Sequence, residues 1–118
     1  MTASKYHAKR CMVDRERFDS KLEAGRFGSL KLMERAGAIS HLMRQVRFPL
    51  LVGGVKIGDY VADFTYLDGS HTQVIEDAKG VLTPLCRWKL KHMEAQGNPV
   101  TLWPPRKTKT RMQDAAPR

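Results

Sequence analysis

The fold is decided by residues 59–80, DYVADFTYLDGSHTQVIEDAKG. Residues 59–67 are rich in aromatic and β-branched side chains, which favour a strand. The dipeptide Asp68-Gly69 is a turn signal, and residues 72–79 predict a second strand after it. The segment therefore predicts a β-hairpin.

Outward from this hairpin, the preceding residues predict a helix and a strand. Ser20-Lys21-Leu22-Glu23 matches a capping box, and Gly37 is a natural helix stop. Residues 39–52 predict a strand, in which Pro49 indicates a sheet edge or a bulge. The helix has an inward apolar stripe at spacings of three: Ala24, Phe27, Leu30 and Met33.

The following residues predict a second helix and a last strand. Thr83-Pro84 begins a helix that runs to about Gln96, and residues 99–103 predict a short strand. Trp88 on this helix is expected in the core, the alternative being a surface platform on which a base could stack. The order α-β-β-β-α-β is an α/β fold, a small mixed sheet flanked by helices. We expect residues 1–17 to form a basic arm that is either flexible or a short edge strand. Residues 18–103 are expected to form the domain, and residues 104–118 a basic, disordered tail.

Composition points to a polyanionic partner. The chain has 118 residues, 21 Lys and Arg against 12 Asp and Glu, and a formal charge of +9. Such an excess on a small domain is typical of a nucleic-acid binder. No apolar run is long enough for a membrane span, and no signal core is present, so an intracellular, cytoplasmic protein without a membrane partner is expected. Two distant cysteines and scattered histidines do not predict a zinc site.

Four polar residues interrupt the apolar segments: Glu23, Asp63, Asp77 and Lys79. Burying an unpaired charge is expensive, so each of these positions calls for a reason. Clustered carboxylates attract a hard divalent cation such as Mg²⁺. A lysine two residues after an acid on a strand shares its face. The combination indicates metal-dependent cleavage of a phosphodiester.

Each of these residues also has a simpler explanation. Glu23 could serve only as the capping partner of Ser20. Asp63 could face solvent or lie at a sheet edge, and Asp77 with Lys79 could form a buried ion pair. The sequence leaves these alternatives open.

The hairpin register decides which acids face one another. A two-residue loop places Asp63 on the side of Glu76, whereas a three-residue loop places it on the side of Asp77 and Lys79. A five-residue loop ending at Thr72 places Asp63 directly opposite Asp77. Lys79 favours Asp77 over Glu76, because an acid and a lysine two residues apart are co-facial.

On these residues the chain resembles the PD-(D/E)XK nuclease superfamily, and more closely its small phage and prophage members. That superfamily has a restriction-endonuclease-like αβββαβ core with an E…D…(E/D)-x-K active site. The resemblance covers about residues 5–103 and rests on five segments: 18–24 (FDSKLEA), 32–39 (LMERAGAI), 45–48 (QVRF), 60–64 (YVADF) and 74–80 (VIEDAKG). Aspartate at 77 departs from the commoner glutamate.

The resemblance implies a role for each site residue. Glu23, Asp63, Asp77 and the Ala78 backbone carbonyl would hold Mg²⁺, with Mn²⁺ also possible. Lys79 would orient the attacking water or stabilise the charged phosphate. Gln45 matches a polar position near the site and is a weaker candidate.

The expected function is a metal-dependent endodeoxyribonuclease. A short one-domain chain favours structure-selective cutting of branched DNA, such as a Holliday junction, in phage recombination or replication, with duplex DNA as the other possible substrate. Two coordinated cuts would need a homodimer. The protein would act in the bacterial cytoplasm, encoded by a phage or prophage. Within the enzyme class, the alternative is a nicking or general endonuclease. Outside it, the alternatives are a catalytically inert basic DNA-binding protein that retains the nuclease fold, and a structural adaptor in which Asp77 and Lys79 form an internal ion pair.

Overall fold

A computed structural model describes residues 11–13, 16–18 and 20–105. Most of the predicted N-terminal arm and all but the start of the predicted basic tail lie outside these residues. Two short strands, β1 (Cys11–Val13) and β2 (Glu16–Phe18), pair antiparallel with each other as a sheet of their own. A short strand, one of the two alternatives for the arm, is therefore present, although it lies in a separate two-stranded sheet.

The remaining elements form a mixed α/β domain with two helices and a four-stranded sheet. They are α1 (Lys21–Arg35), β3 (Ser40–Val52), β4 (Val55–Leu67), β5 (Gln73–Ala78), α2 (Pro84–Ala95) and β6 (Thr101–Trp103). The sheet order is β3-β4-β5-β6, with β3, β4 and β5 antiparallel and β6 parallel to β5. The predicted order α-β-β-β-α-β is confirmed between residues 20 and 105.

The β3–β4 hairpin is longer than predicted. β4 begins at Val55, four residues before the predicted start at Asp59, and Val55 pairs with Val52. Gly53 and Gly54 both have positive φ, 55° and 83°, which is the backbone that a two-residue hairpin turn requires. β3 is an edge strand, and its register shifts between Leu50 and Leu51, so the prediction from Pro49 of an edge or a bulge is confirmed.

Each helix packs on its own apolar cluster. Phe27 and Leu30 of α1 pack with Phe64 and Tyr66 of β4, and the predicted inward stripe of α1 is confirmed, with Met33 half-buried at its end. Met93 of α2 lies in a second cluster with Leu50, Tyr60, Ala62 and Ile75.

The expectation that Trp88 belongs to the core is wrong. Its side chain is 77% exposed, whereas Met93 is fully buried and Leu90 packs against the second cluster. Five residues of helix separate Trp88 from Met93, a rotation of about 140° once whole turns are removed. Trp88 therefore points away from the side of α2 that packs on the sheet.

Candidate active site

The candidate site lies where the sheet forks. β4 and β5 pair from Leu67↔Gln73 to Phe64↔Glu76, and the pairing ends there. One step further along the same register Asp63 stands opposite Asp77. Side chains replace the ladder at this step: the Asp63 amide donates to Asp77 Oδ1 at 2.7 Å, and the Ala78 amide donates to Asp63 Oδ2 at 2.9 Å. The two carboxylates therefore join the strands at the point where they separate.

The loop between these strands has five residues, 68–72, which selects one of the three registers considered above. Its ends close through the Asp68 amide and the Thr72 carbonyl, 2.9 Å apart. The Asp68 carboxylate accepts the amides of Ser70 and Thr72 at 2.8 and 3.0 Å, and His71 takes a left-handed φ of 61°. Because Asp68 caps its own loop, Asp63 and Asp77 face each other.

Asp77 is fully buried and held on both carboxylate oxygens. Oδ1 accepts the Asp63 amide, and Oδ2 accepts the hydroxyl of Tyr60. Burial raises the pKa of Asp77, while the Asp63 amide and the charge of Lys79 oppose that rise. Sequence reasoning missed Tyr60, since no local spacing links it to a residue that only the hairpin register brings near.

Asp63 is half-buried, and its environment resembles that of Asp77. Burial is the largest influence and raises its pKa; the Ala78 amide, Lys79, the Gln45 amide and Arg44 lower it. Two adjacent, largely buried carboxyl groups pay a desolvation penalty when they are charged, and a bound cation would offset that penalty. Lys79 acts on both, so Asp63, Asp77 and Lys79 are brought together as predicted.

Glu23 faces the same place from α1. Glu23 is buried, with 7% of the residue exposed, and its carboxylate accepts the Gln45 side-chain amide at 3.0 Å and the Arg44 guanidinium at 3.3 Å. The backbone amide of Glu23 donates to the Ser20 hydroxyl at 3.1 Å, so Ser20 caps the helix while the Glu23 carboxylate turns toward β3. The helix cap and a role in the site are therefore compatible.

Gln45 connects Glu23 to Asp63. Its side-chain amide bonds the Glu23 carboxylate and also lowers the pKa of Asp63 by a hydrogen bond. Gln45 has a φ of 53°, inside a strand, which is unfavourable for a residue with a Cβ. In the register of β3 and β4 this residue lies across from Asp63.

Glu76 belongs to a different environment from Asp77. Its buried carboxylate is held bidentately by Arg26, at 2.6 and 3.0 Å, and accepts the Tyr66 hydroxyl at 2.7 Å. The Arg26 guanidinium in turn stacks 3.9 Å from the centre of the Trp103 ring. Glu76 is therefore neutralised beneath α1, which leaves Asp77 as the acid beside Asp63.

Lys79 lines an open cleft of about 290 Å³. The cleft lies between β4, the β5–α2 loop and the start of α2, with Asp59, Tyr60, Val61, Thr83, Leu85, Cys86 and Lys89 as its other lining residues. The Lys79 amide donates to the Trp103 carbonyl at 3.0 Å, which fixes the backbone after Asp77 against β6.

The carboxylates of Glu23, Asp63 and Asp77 are the type of ligand that a hard cation prefers, but they do not surround a single point. Among the described residues, no three His, Cys, Asp or Glu side chains stand close enough together to hold a metal ion. The Gln45 amide occupies the position between Glu23 and Asp63. Carboxylate oxygens are the ligands Mg²⁺ prefers, and the raised pKa values of Asp63 and Asp77 mark a place where positive charge is favoured.

The fold and this site define a small mixed α/β protein with paired acids and a lysine at a sheet fork. The chain belongs to the family described as protein of unknown function DUF1064, whose model matches residues 3–111. No curated protein and no solved structure matches it significantly. Neither helix within residues 20–105 is long and apolar enough to cross a membrane.

Proposed function

We propose that this protein is a metal-dependent endodeoxyribonuclease of the PD-(D/E)XK type. The observation that supports it most is the meeting of Asp63 and Asp77 across the fork, with Lys79 acting on both. An internal ion pair of Asp77 and Lys79 alone would not need a second acid bonded across the strands. Glu23, brought in through Gln45, supplies the third carboxylate of the proposed site.

Each residue then has a distinct task. Glu23, Asp63, Asp77 and the Ala78 carbonyl would hold Mg²⁺ or Mn²⁺, which lowers the pKa of bound water and offsets charge on the scissile phosphate. Tyr60 and the Asp63 amide orient Asp77 before any ligand arrives. Lys79 lines the open cleft, where its ammonium group would bind a phosphate oxygen or the attacking water.

The substrate class follows from charge and from size. A net charge of +9 favours a polyanion, and phosphate contacts supply affinity without reading a sequence. One small α/β domain, as residues 20–105 form, favours recognition of DNA shape. We therefore propose branched DNA as the substrate, cut by a homodimer, in phage recombination or replication.

A second candidate is a basic DNA-binding protein that kept the fold and does not cut. It is favoured by the Gln45 amide, which fills the space between Glu23 and Asp63. If the protein is a nuclease, cation binding must break the hydrogen bonds that Gln45 and Arg44 donate to the Glu23 carboxylate. The two candidates therefore differ in whether Mg²⁺ or Mn²⁺ binds at all.

The test joins metal binding to cleavage. Calorimetric titration with Mn²⁺ is run beside cleavage of a labelled four-way junction, a duplex and a single strand, with Mg²⁺, Mn²⁺ or EDTA. Lys79→Ala and Asp63→Asn should abolish metal-dependent cuts, and Asp63→Asn should also weaken Mn²⁺ binding. Lys56→Ala, an exposed lysine at the hairpin tip, is the matched control and should cut normally. DNA binding without cutting in any metal would refute the nuclease and leave the second candidate.

A further inference from the structure

An exposed tryptophan marks a second surface beside the cleft. Trp88 is 77% exposed, Leu85 66% and Ile57 61%. They border a groove of about 200 Å³ between α2 and the β3–β4 hairpin, here called the Trp88 groove, lined by Leu50, Ile57, Gly58, Leu85, Trp88, Lys89 and His92. Contiguous exposed apolar side chains of this kind typically mark a binding surface.

The walls of the Trp88 groove are held in place by polar bonds from α2 to the hairpin backbone. His92 Nε2 bonds the Leu51 carbonyl at 2.8 Å, and Lys89 Nζ donates to the Asp59 carbonyl at 3.1 Å. Gln96 accepts the Leu51 amide at 2.6 Å and donates to the Pro49 carbonyl at 3.0 Å. These bonds fix α2 beside β3, so the groove exists before a ligand binds.

The Trp88 groove is continuous with the cleft at Lys79. Leu85 and Lys89 line both of them. Leu85 and Trp88 are three residues apart, so they are neighbours on one face of α2. A strand bound at Lys79 can thus continue past Leu85 onto the ring of Trp88.

Charge decides between a nucleic acid and a second copy of this chain. α2 carries Arg87, Lys89 and Lys91 against one acid, Glu94. Two copies packed through this face about a two-fold axis would bring like charges together, which disfavours association. Phosphates beside an exposed aromatic ring match both the charge and the apolar surface, because every base has a face that stacks.

We infer that Trp88 is a stacking platform for an unpaired base of the DNA strand that enters the cleft, with Arg87, Lys89 and Lys91 as candidates to bind its phosphates. The inference rests on the proposed nucleic-acid function and extends it. It assigns the preferred substrate to DNA with unpaired bases next to the cut. A fully paired duplex hides its base faces and cannot use Trp88 in this way.

The test uses the full chain in EDTA, so that binding is measured without cutting. The chain has two tryptophans, and Trp103→Phe leaves Trp88 as the sole tryptophan reporter. Its fluorescence is followed during titration with single-stranded oligothymidine, an abasic oligomer of the same length and a matched duplex. Affinities of Trp88→Ala and Trp88→Phe are measured by anisotropy, and thermal melts check that both variants fold.

Single-stranded DNA should quench Trp88, and the abasic oligomer and the duplex should quench it much less. Trp88→Ala should bind the single strand about 5- to 150-fold more weakly, and Trp88→Phe should stay close to wild type. Equal binding by Trp88→Ala and wild type would overturn the inference. So would burial of Trp88 that depends on protein concentration without DNA, which would assign the groove to a second copy.

The Trp88 experiment and the cleavage experiment can succeed or fail independently of each other. Weak binding by Trp88→Ala with no cleavage in any metal would support the stacking platform and reject the enzyme. Lys79-dependent cleavage with unchanged binding by Trp88→Ala would do the reverse.

Discussion

Replacing Arg26 by methionine tests the assignment of Glu76 as a structural acid. The Arg26 and Glu76 side chains are 11% and 2% exposed, so solvent screens their ion pair very little. Glu76 raises the pKa of Arg26, and the guanidinium also covers the Trp103 ring. Methionine keeps most of the side-chain volume and removes the charge, so Glu76 is left as a buried carboxylate.

The magnitude follows from the contacts that remain. Breaking a buried pair by removing one partner costs about 3–5 kcal/mol. The Tyr66 hydroxyl still donates to Glu76 and retains about 1 kcal/mol of that. We therefore expect Arg26→Met to lower the free energy of unfolding by about 2–4 kcal/mol. For a domain of this size the melting temperature would fall by roughly 10–25 °C.

The assay is chemical denaturation followed by circular dichroism, with a double-mutant cycle. Arg26→Met combined with Glu76→Gln removes both charges and should regain at least half of the lost free energy. Lys31→Met, a half-exposed lysine of α1 in an i,i+3 pair, is the control and should change stability by less than about 0.5 kcal/mol. A loss under about 1 kcal/mol in Arg26→Met, or a double variant no more stable than the single one, would refute the assignment.

Two further predictions concern the site itself. Burial raises the pKa of Asp63 and Asp77 in the folded protein, so the folded state loses stability as pH rises from 3.8 through the raised pKa values. Asp63→Asn and Asp77→Asn should therefore each melt at a higher temperature than wild type at pH 7. This difference in melting temperature should vanish below pH 3.8, where both carboxyl groups are protonated in the folded and the unfolded state. Lower melting at pH 7 would mean that Lys79 outweighs burial. Ser20→Ala should cost about 1 kcal/mol of stability and still cut. Glu23→Gln should not cut, and it should also melt lower than wild type, because it removes the largely buried charge that pairs with Arg44. Cutting that survives in Glu23→Gln would remove Glu23 from the proposed site.

Local patterns were sufficient for the order of the elements. The Ser20 cap, the Gly37 stop, the apolar stripe of α1 and the Thr83-Pro84 start of α2 depend on residues within one or two turns of each other. The same holds for Asp77 and Lys79, whose spacing of two residues is enough to make them co-facial on a strand. These features can be predicted from the sequence because the interactions that produce them join residues close together in the chain.

Long-range pairing decided the rest. Three loop lengths were compatible with Asp68-Gly69, and only the folded loop, closed by the Asp68 carboxylate, places Asp63 opposite Asp77. The Tyr60 bond to Asp77 and the Gln45 bridge depend on strands brought together across that register. The exposure of Trp88 likewise depends on which side of α2 packs on the sheet. Short-range patterns were enough to predict the elements and the candidate residues. The neighbours of those residues depend on the tertiary fold, because a shift of one residue in register changes every contact across a sheet while local propensities stay the same.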